Sequence, residues 1–337
     1  MTGRGQERLE RHRGQLGDRL FRGTTRTVGI GLLVLLGLLV ADLAFGGSRA
    51  FARFGLHFLT GTNWNPVAGR ESFGALPFIF GTLVTSAIAI ILAVPVAVGL
   101  ALLLNELPSN VLRDPLAVLV DLLAAIPSVV YGLWGLFVLL PLMDRHVEPF
   151  LTATVGRIPV VGLLFRGDPH GGDLFTAGVI LAIMILPIIT AVSREVVATV
   201  PKDLREAARA LGATRYETVR MSVLPYARSG IVGATMLGLG RALGETIAVA
   251  LLVGNFPAVR SSLFRPGSTI PSVIANEFRE ATSAGVHRSA LLALALLLVM
   301  ISFVLAALSR LLVRRTTRLV SGAPAEPPLA PVLQVSG

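Results

Sequence analysis

Two ionisable residues interrupt one of the apolar stretches of this chain: Arg241 and Glu245, in the string Gly238-Leu239-Gly240-Arg241-Ala242-Leu243-Gly244-Glu245-Thr246. Charges deep inside a membrane span cost several kcal/mol by common estimates, so they pair with one another or line a wet cavity. Four residues apart, the two fall on one face of a helix, and the bland reading is a local ion pair. Helices favour the acid before the base at this spacing, and the order here is reversed, which weakens that reading. Gly240 and Gly244 form the small-x-x-x-small pattern by which membrane helices pack closely, and packing is the expectation for them. Arg241 and Glu245 are expected to face a translocation path.

The second chemically informative stretch is Val200 to Ser229, a long polar interruption between two apolar segments. Leu204, Ala207, Ala208 and Leu211 recur at i, i+3, i+4, i+7, which predicts a short amphipathic helix. Pro201 suits its first turn and Gly212 its left-handed stop. Thr214 and Glu217 have the spacing of a capping box that opens a second helix, and Pro225 is placed to end or kink it. Lys202, Arg205, Glu206 and Arg209 supply the polar side. The expected product is two short helices around a glycine corner, held against a membrane. An ordinary loop lying on lipid headgroups fits the same residues.

The elements around these groups follow from composition. The chain has 337 residues, 53% hydrophobic and 15% charged, with mean hydropathy +0.74. Repeated apolar runs near 20 residues identify an all-α polytopic membrane protein. Spans are predicted at about Thr27–Phe45, Pro77–Leu104, Pro115–Leu142, Leu174–Val197, Gly230–Val253 and Ala290–Val313, giving about six transmembrane helices. A basic segment, residues 1–26, precedes this 27–313 transmembrane region and reads as disordered from Arg4 to Arg13; an uncleaved first helix is expected rather than a signal peptide. The tail, 314–337, reads as flexible. Met143–Asp173 is read as a polar connection with a re-entrant or interfacial piece near Ile158–Phe165. Pro95, Pro127 and Pro187 interrupt spans, and Asp121 is expected to snorkel. Ser128, Tyr131 and Trp134 fit either a path or a subunit contact. Trp64 suits an interface anchor.

Six spans place both termini on one side. Arg and Lys on that side, counting Arg310 at the end of the last span, number 18 against 10 opposite. The positive-inside rule then puts the termini and the Glu206 loop in the cytoplasm. There is no Cys, so disulfides and thiolate metal sites are excluded. The five His form no helical pair, and no metal site is expected. The only lysine, Lys202, is followed by Asp203, so no phosphate-cradling G-x-x-x-x-G-K-[ST] loop exists. If ATP drives this protein, another subunit binds it, and no cofactor is expected on this chain.

Glu206-Ala207-Ala208, Gly212 and Leu224-Pro225 resemble the EAA loop by which ABC importer permeases dock on their ATPase. Phe73-Gly74-Ala75-Leu76-Pro77-Phe78, Ile126-Pro127-Ser128-Val129-Val130-Tyr131-Gly132-Leu133 and the span-five string narrow the resemblance to the phosphate-specific importers. With Ala275-Asn276-Glu277-Phe278 they favour the PstC permease family over its sister PstA. The resemblance covers roughly residues 70–310. It implies a type I permease fold in a bacterial cytoplasmic (inner) membrane, a PstA-like partner permease, a PstB-like ATPase dimer and a PstS-like phosphate-binding protein. It also implies that Glu206, Ala207, Ala208, Gly212, Leu224 and Pro225 couple to the ATPase, and that Arg241 and Glu245 match the family's intramembrane arginine and acid. An arginine's planar fork suits a phosphate oxyanion, and a carboxylate suits the proton that phosphate keeps near neutral pH. A permease for another oxyanion, a secondary transporter, and a non-transporting scaffold or phosphate-sensing receptor remain as rivals.

Overall fold

A computed structural model describes residues 3–67, 69–106, 110–167, 171–282 and 285–318. Of the tail expected to be flexible, residues 314–318 continue the last helix, and 319–337 lie outside the described residues. Among the described residues, five helical stretches are long and apolar enough to cross a membrane: Phe21–Phe54, Leu76–Glu106, Ser128–Arg157, Leu174–Ala198 and Val286–Leu311.

The first stretch belongs to α1 (Gly3–Phe54), which begins well before the apolar run. The lead expected to be disordered is helical, because Arg, Glu, Gln and Leu propagate a helix cheaply once an apolar segment has nucleated it. A short helix, α2 (His57–Thr60), leads to a two-stranded antiparallel hairpin, β1 (Trp64–Asn65) and β2 (Ser72–Phe73), with Trp64 opposite Phe73. Then α3 (Leu76–Glu106) runs through Pro95 without breaking.

The third predicted span is relocated. The chain forms α4 (Asn110–Ala125), breaks at Ile126–Pro127, and restarts as α5 (Ser128–Trp134). Pro127 has no N–H to donate and disfavours helical geometry at the residue before it, which favours the break. Its own backbone is extended at ψ 142°, unlike that around Pro95 and Pro187, which stay within helices. From Ser128 the chain stays helical through α6 (Leu140–Leu142) and α7 (Glu148–Thr154), with π-helical stretches at Gly135–Leu139 and Met143–Val147. The first half of the expected 143–173 connection therefore completes a helix, and only short 3-10 turns follow it.

The central helix is α8 (Leu174–Ala198), which continues through Pro187. Against it lies a stripe of small residues on α3: Ala89, Ala93, Ala97 and Ala101, one per turn and at most 1% exposed. Small side chains at i, i+4 spacing let two apolar helices approach closely where no hydrophobic driving force exists between them. Ile180, Leu181, Ile185 and Ile189 fill the same core from α8. Beyond α8 come α9 (Lys202–Ala210), α10 (Arg215–Thr218), a π-helical stretch at Val219–Val223 and α11 (Leu224–Gly244). The chain ends with α12 (Ile247–Leu252), α13 (Ile270–Glu277) and α14 (Val286–Arg318).

At the end of the bundle opposite α9, a second core joins the hairpin to α13 and α14. The Trp64 indole Nε1 donates to Glu277 Oε2 at 2.9 Å, and His287 Nε2 meets the same oxygen at 2.7 Å. The ring of Trp64 packs edge-on against Phe73 and Phe78, so this residue joins the hairpin to α3 and α13.

Two acids that the sequence leaves unconnected also meet at this end. Glu148 on α7 and Asp173, the cap of α8, are both fully buried. Asp173 Oδ1 accepts from the Thr176 N–H at 2.8 Å, and the Thr176 hydroxyl lies 3.4 Å from Glu148. Burial, and then the charge of Glu148, push the Asp173 carboxyl up to about 8. An acid whose pKa is raised by folding contributes stability that is complete below its unfolded value and is lost as pH rises through the folded one. The melting temperature of the solubilised protein is thus expected to fall by a few degrees between pH 6 and pH 9. Asp173→Asn, which keeps the cap and cannot ionise, should flatten that slope. A wild-type profile already flat over this window would contradict the arrangement.

Candidate functional site: the α9–α10 helix pair and the break in span five

The helix pair is built by local chemistry. Pro201, extended at ψ 137°, precedes the first residue of α9. Gly212 takes φ +86°, a left-handed value that glycine reaches without strain. Around it the Gly212 N–H donates to Arg209 O at 2.9 Å and the Ala213 N–H to Ala208 O at 3.1 Å. These two bonds are the Schellman pattern that closes a helix. The capping box of α10 is complete: the Glu217 N–H donates to Thr214 Oγ1 at 3.3 Å, and the Thr214 N–H donates to Glu217 Oε2 at 2.8 Å. The Thr214 backbone N–H, followed by its hydroxyl, holds the Glu217 carboxyl below the usual carboxylate range. Pro225 does not end the second helix. The chain widens into the π-helical stretch Val219–Val223 and continues through Pro225 into α11.

In α9 the polar side, not the apolar stripe, meets the bundle. Leu204 and Leu211 of the amphipathic stripe are exposed, Leu211 to 90%. Arg205 and Arg209, counted on the polar side, turn inward to Glu106 at the end of α3. Arg205 Nη1 lies 3.4 Å from Glu106 Oε1, and Arg209 Nη2 lies 3.6 Å from Glu106 Oε2. Arg205 Nη2 also donates to Val197 O, in the last turn of α8, at 2.9 Å. Asn105 Nδ2 ties α3 to Arg194 O of α8 at 3.1 Å. Arg194 in turn reaches Asp121 at 3.9 Å, so this acid has a partner across helices. Glu106 lies just past the predicted end of the second span, Leu104, and carries no motif of its own. The pairing spans about a hundred residues, and no local pattern announces it.

Glu206 and Ala207 project outward, Ala208 is half-buried, Gly212 is exposed, and Tyr216 and Met221 stand free beside them. Among the described residues, Glu206 makes no hydrogen bond or ion pair. Leu224 and Pro225 sit at the root of α11, Leu224 half-buried and Pro225 exposed. The helix pair therefore presents an acid and several apolar side chains on a rigid corner, uncovered.

Span five is not one helix. α11 ends at Gly244; Glu245 is extended at ψ 128°, and α12 restarts at Ile247. Arg241, in the last turn of α11, is exposed, whereas Glu245 is 9% exposed. The shared helix face is lost because the helix stops between them, and no ion pair joins them among the described residues. The glycines that pack are also different ones. A Cβ on Gly238 would lie 2.7 Å from Ile189, and one on Gly230 would collide with Val196, both on α8; Gly240 and Gly244 face open space. Arg241 lies within electrostatic reach of Tyr131. Tyr131 itself is buried, and its hydroxyl donates to Leu123 O at 2.8 Å, closing the break at Pro127. With Trp134, Val130 and Ile183 it lines an apolar groove of about 300 Å³. Ser128 is not among the lining residues.

The architecture, several apolar helices with an exposed helix pair inserted between two of them, is that of an importer permease. Its backbone superposes on a subunit of the bacterial ABC transporter that imports the acidic polysaccharide alginate, with TM-score 0.51 and 18% identity over 88% of this chain and 99% of that one. Residues 93–318 match the family described as binding-protein-dependent transport system inner membrane component. The phosphate transport system permease protein PstC of Pasteurella multocida (strain Pm70) is 48% identical over 296 residues, 88% of this chain and 91% of the relative. The PstC of Mesorhizobium japonicum is 47% identical over 300 residues, 89% and 91% of the two chains. The chain belongs to the binding-protein-dependent transport permeases and, within them, to the PstC family.

Proposed function

We propose that this chain is the permease subunit of an ATP-driven importer that moves inorganic phosphate into the cytoplasm. The observation that carries the reading is the α9–α10 pair, fixed at its corner, anchored to α3 and left uncovered around Glu206 and Leu211. A surface that is rigid, part apolar and unpartnered is suited to docking another subunit. The names of the relatives support phosphate as the cargo. In this reading a PstB-like ATPase dimer binds ATP and seats on Glu206, Ala207, Ala208 and Gly212, with Leu224 and Pro225 passing the motion into α11. A PstA-like permease completes the pore, and a PstS-like binding protein delivers phosphate from the other side. Arg241, exposed beside the break in span five, offers its guanidinium fork to the anion. Glu245 is buried just past the end of α11, where the helix stops.

The test is co-expression with the partner subunits and reconstitution into vesicles. The ATPase should co-purify with this chain, and labelled phosphate should accumulate only with ATP and the binding protein. Accumulation without the ATPase would make the protein a secondary transporter instead.

Orientation has its own test. Both termini and Lys202 are expected in the cytoplasm of a bacterial cell, with Trp64 and His287 on the outside, because basic residues concentrate on the first side. The chain has no Cys, so single cysteines at positions 202 and 64 report without background. An impermeant thiol reagent on intact cells should label position 64 and spare position 202. Because Trp64 is only partly exposed, Val67→Cys, exposed in the turn of the same hairpin, serves as its control. The opposite labelling would invert the topology.

A further inference from the structure

We infer that Glu106 is the positioning residue through which α9 moves the membrane helices, a role that rests on the permease reading above. Glu106 is the last residue of α3, the helix whose alanine stripe locks against α8. Arg205 and Arg209, one turn apart on α9, flank its two carboxylate oxygens. Arg205 simultaneously holds Val197 O, so one side chain of α9 grips the ends of both α3 and α8. Asn105 bonds α3 to α8 at the same level, which makes the two helix ends a single load.

Burial gives the contact its stiffness. The side chains of Glu106 and Arg205 are only 21% and 18% exposed, so their attraction is screened far less than that of a surface pair. Drawing α9 away from α3 would leave Glu106 and Arg205 mostly buried and unpaired, which is the costly direction, whereas the half-exposed Arg209 would return to water. Pressing α9 inward meets no such penalty. Glu106 Oε1 and Arg205 Nε are buried without a hydrogen-bond partner, and at 3.4 Å the pair is longer than a charge-assisted hydrogen bond. The contact is therefore engaged with room to shorten, and it can tighten when an ATPase presses or tilts α9 toward α3. No other part of the proposed mechanism uses Glu106, which is distant in sequence from the docking residues.

The test uses the complete importer in proteoliposomes and reads two rates, phosphate uptake and ATP hydrolysis. Glu106→Gln preserves size and removes the charge. The complex should assemble with the normal amount of ATPase, while phosphate moved per ATP hydrolysed falls about tenfold or more. Because the readout is a ratio per assembled complex, a lower yield of the variant does not disturb it. A second variant, Glu106→Cys with Arg209→Cys, should show the same loss. Bridging its two thiols with a short bifunctional thiosulfonate should restore the ratio, and a reductant should abolish it again. A wild-type ratio in Glu106→Gln, loss of the ATPase from that complex, or a bridged pair that stays uncoupled would each overturn the inference. A wild-type importer that moves no phosphate would instead remove the permease reading itself.

Discussion

Glu206→Lys is expected to leave the chain inserted, folded and at normal membrane level, with ATP-driven phosphate uptake reduced to background. The side chain is exposed and makes no hydrogen bond or ion pair among the described residues, so its replacement should change stability by no more than about 0.5 kcal/mol. Whatever the substitution does, it does through a partner. Like charges brought together across an interface cost several kcal/mol, enough to empty a docking site built for an acid. Gly212→Val separates the shape of the corner from its charge. A Cβ there meets nothing within 4 Å, but φ of +86° is a left-handed conformation that costs a side-chain-bearing residue about 1–2 kcal/mol. The expected result is partial uncoupling, with ATP hydrolysis continuing while uptake drops. Both variants are read by labelled phosphate uptake in vesicles, normalised to protein by immunoblot. Unchanged uptake would reduce the helix pair to a connection between spans.

Arg241→Lys should lower phosphate uptake by roughly tenfold to a hundredfold, the equivalent of losing one hydrogen bond to a charged group at about 1.5–3 kcal/mol. Lysine keeps the charge and discards the planar fork, so a deficit assigns the function to geometry. Arg241 is exposed and joined to no acid among the described residues, and its loss should not move the melting temperature. That separates it from Glu245, which is buried where the helix stops and whose replacement is expected to disturb the fold as well. Arg241→Gln should be as inactive as Arg241→Lys or more so. Wild-type uptake kinetics in Arg241→Lys would remove the arginine from the anion's path.

Features that depend on neighbours within about five residues were legible in the sequence. The apolar runs of α3, α8 and α14, the glycine stop at Gly212, and the Thr214–Glu217 capping box all stand where the residues predicted them. Each is set by backbone chemistry that closes on itself: a helix satisfies its own N–H and C=O groups, and a cap needs only the first or last turn. The proposed docking role of Glu206, Ala207, Ala208 and Gly212 came instead from the resemblance to the EAA loop; local chemistry accounts only for the corner on which they sit.

The tertiary structure alone decided which way those local elements face and where they are interrupted. Periodicity identified a stripe of Leu204, Ala207, Ala208 and Leu211 on α9 but not which face of the helix the bundle covers. Glu106, about a hundred residues earlier, turns the opposite face inward by pairing with Arg205 and Arg209. The same limit applies to Arg241 and Glu245, whose shared face exists only if the helix continues past Gly244. It applies to Glu148 and Asp173, which meet because α7 folds back on the start of α8. Spacing along the chain fixes what a helix offers on each side. Which side is covered depends on charges and surfaces contributed by other helices, and only the packed bundle brings those into contact.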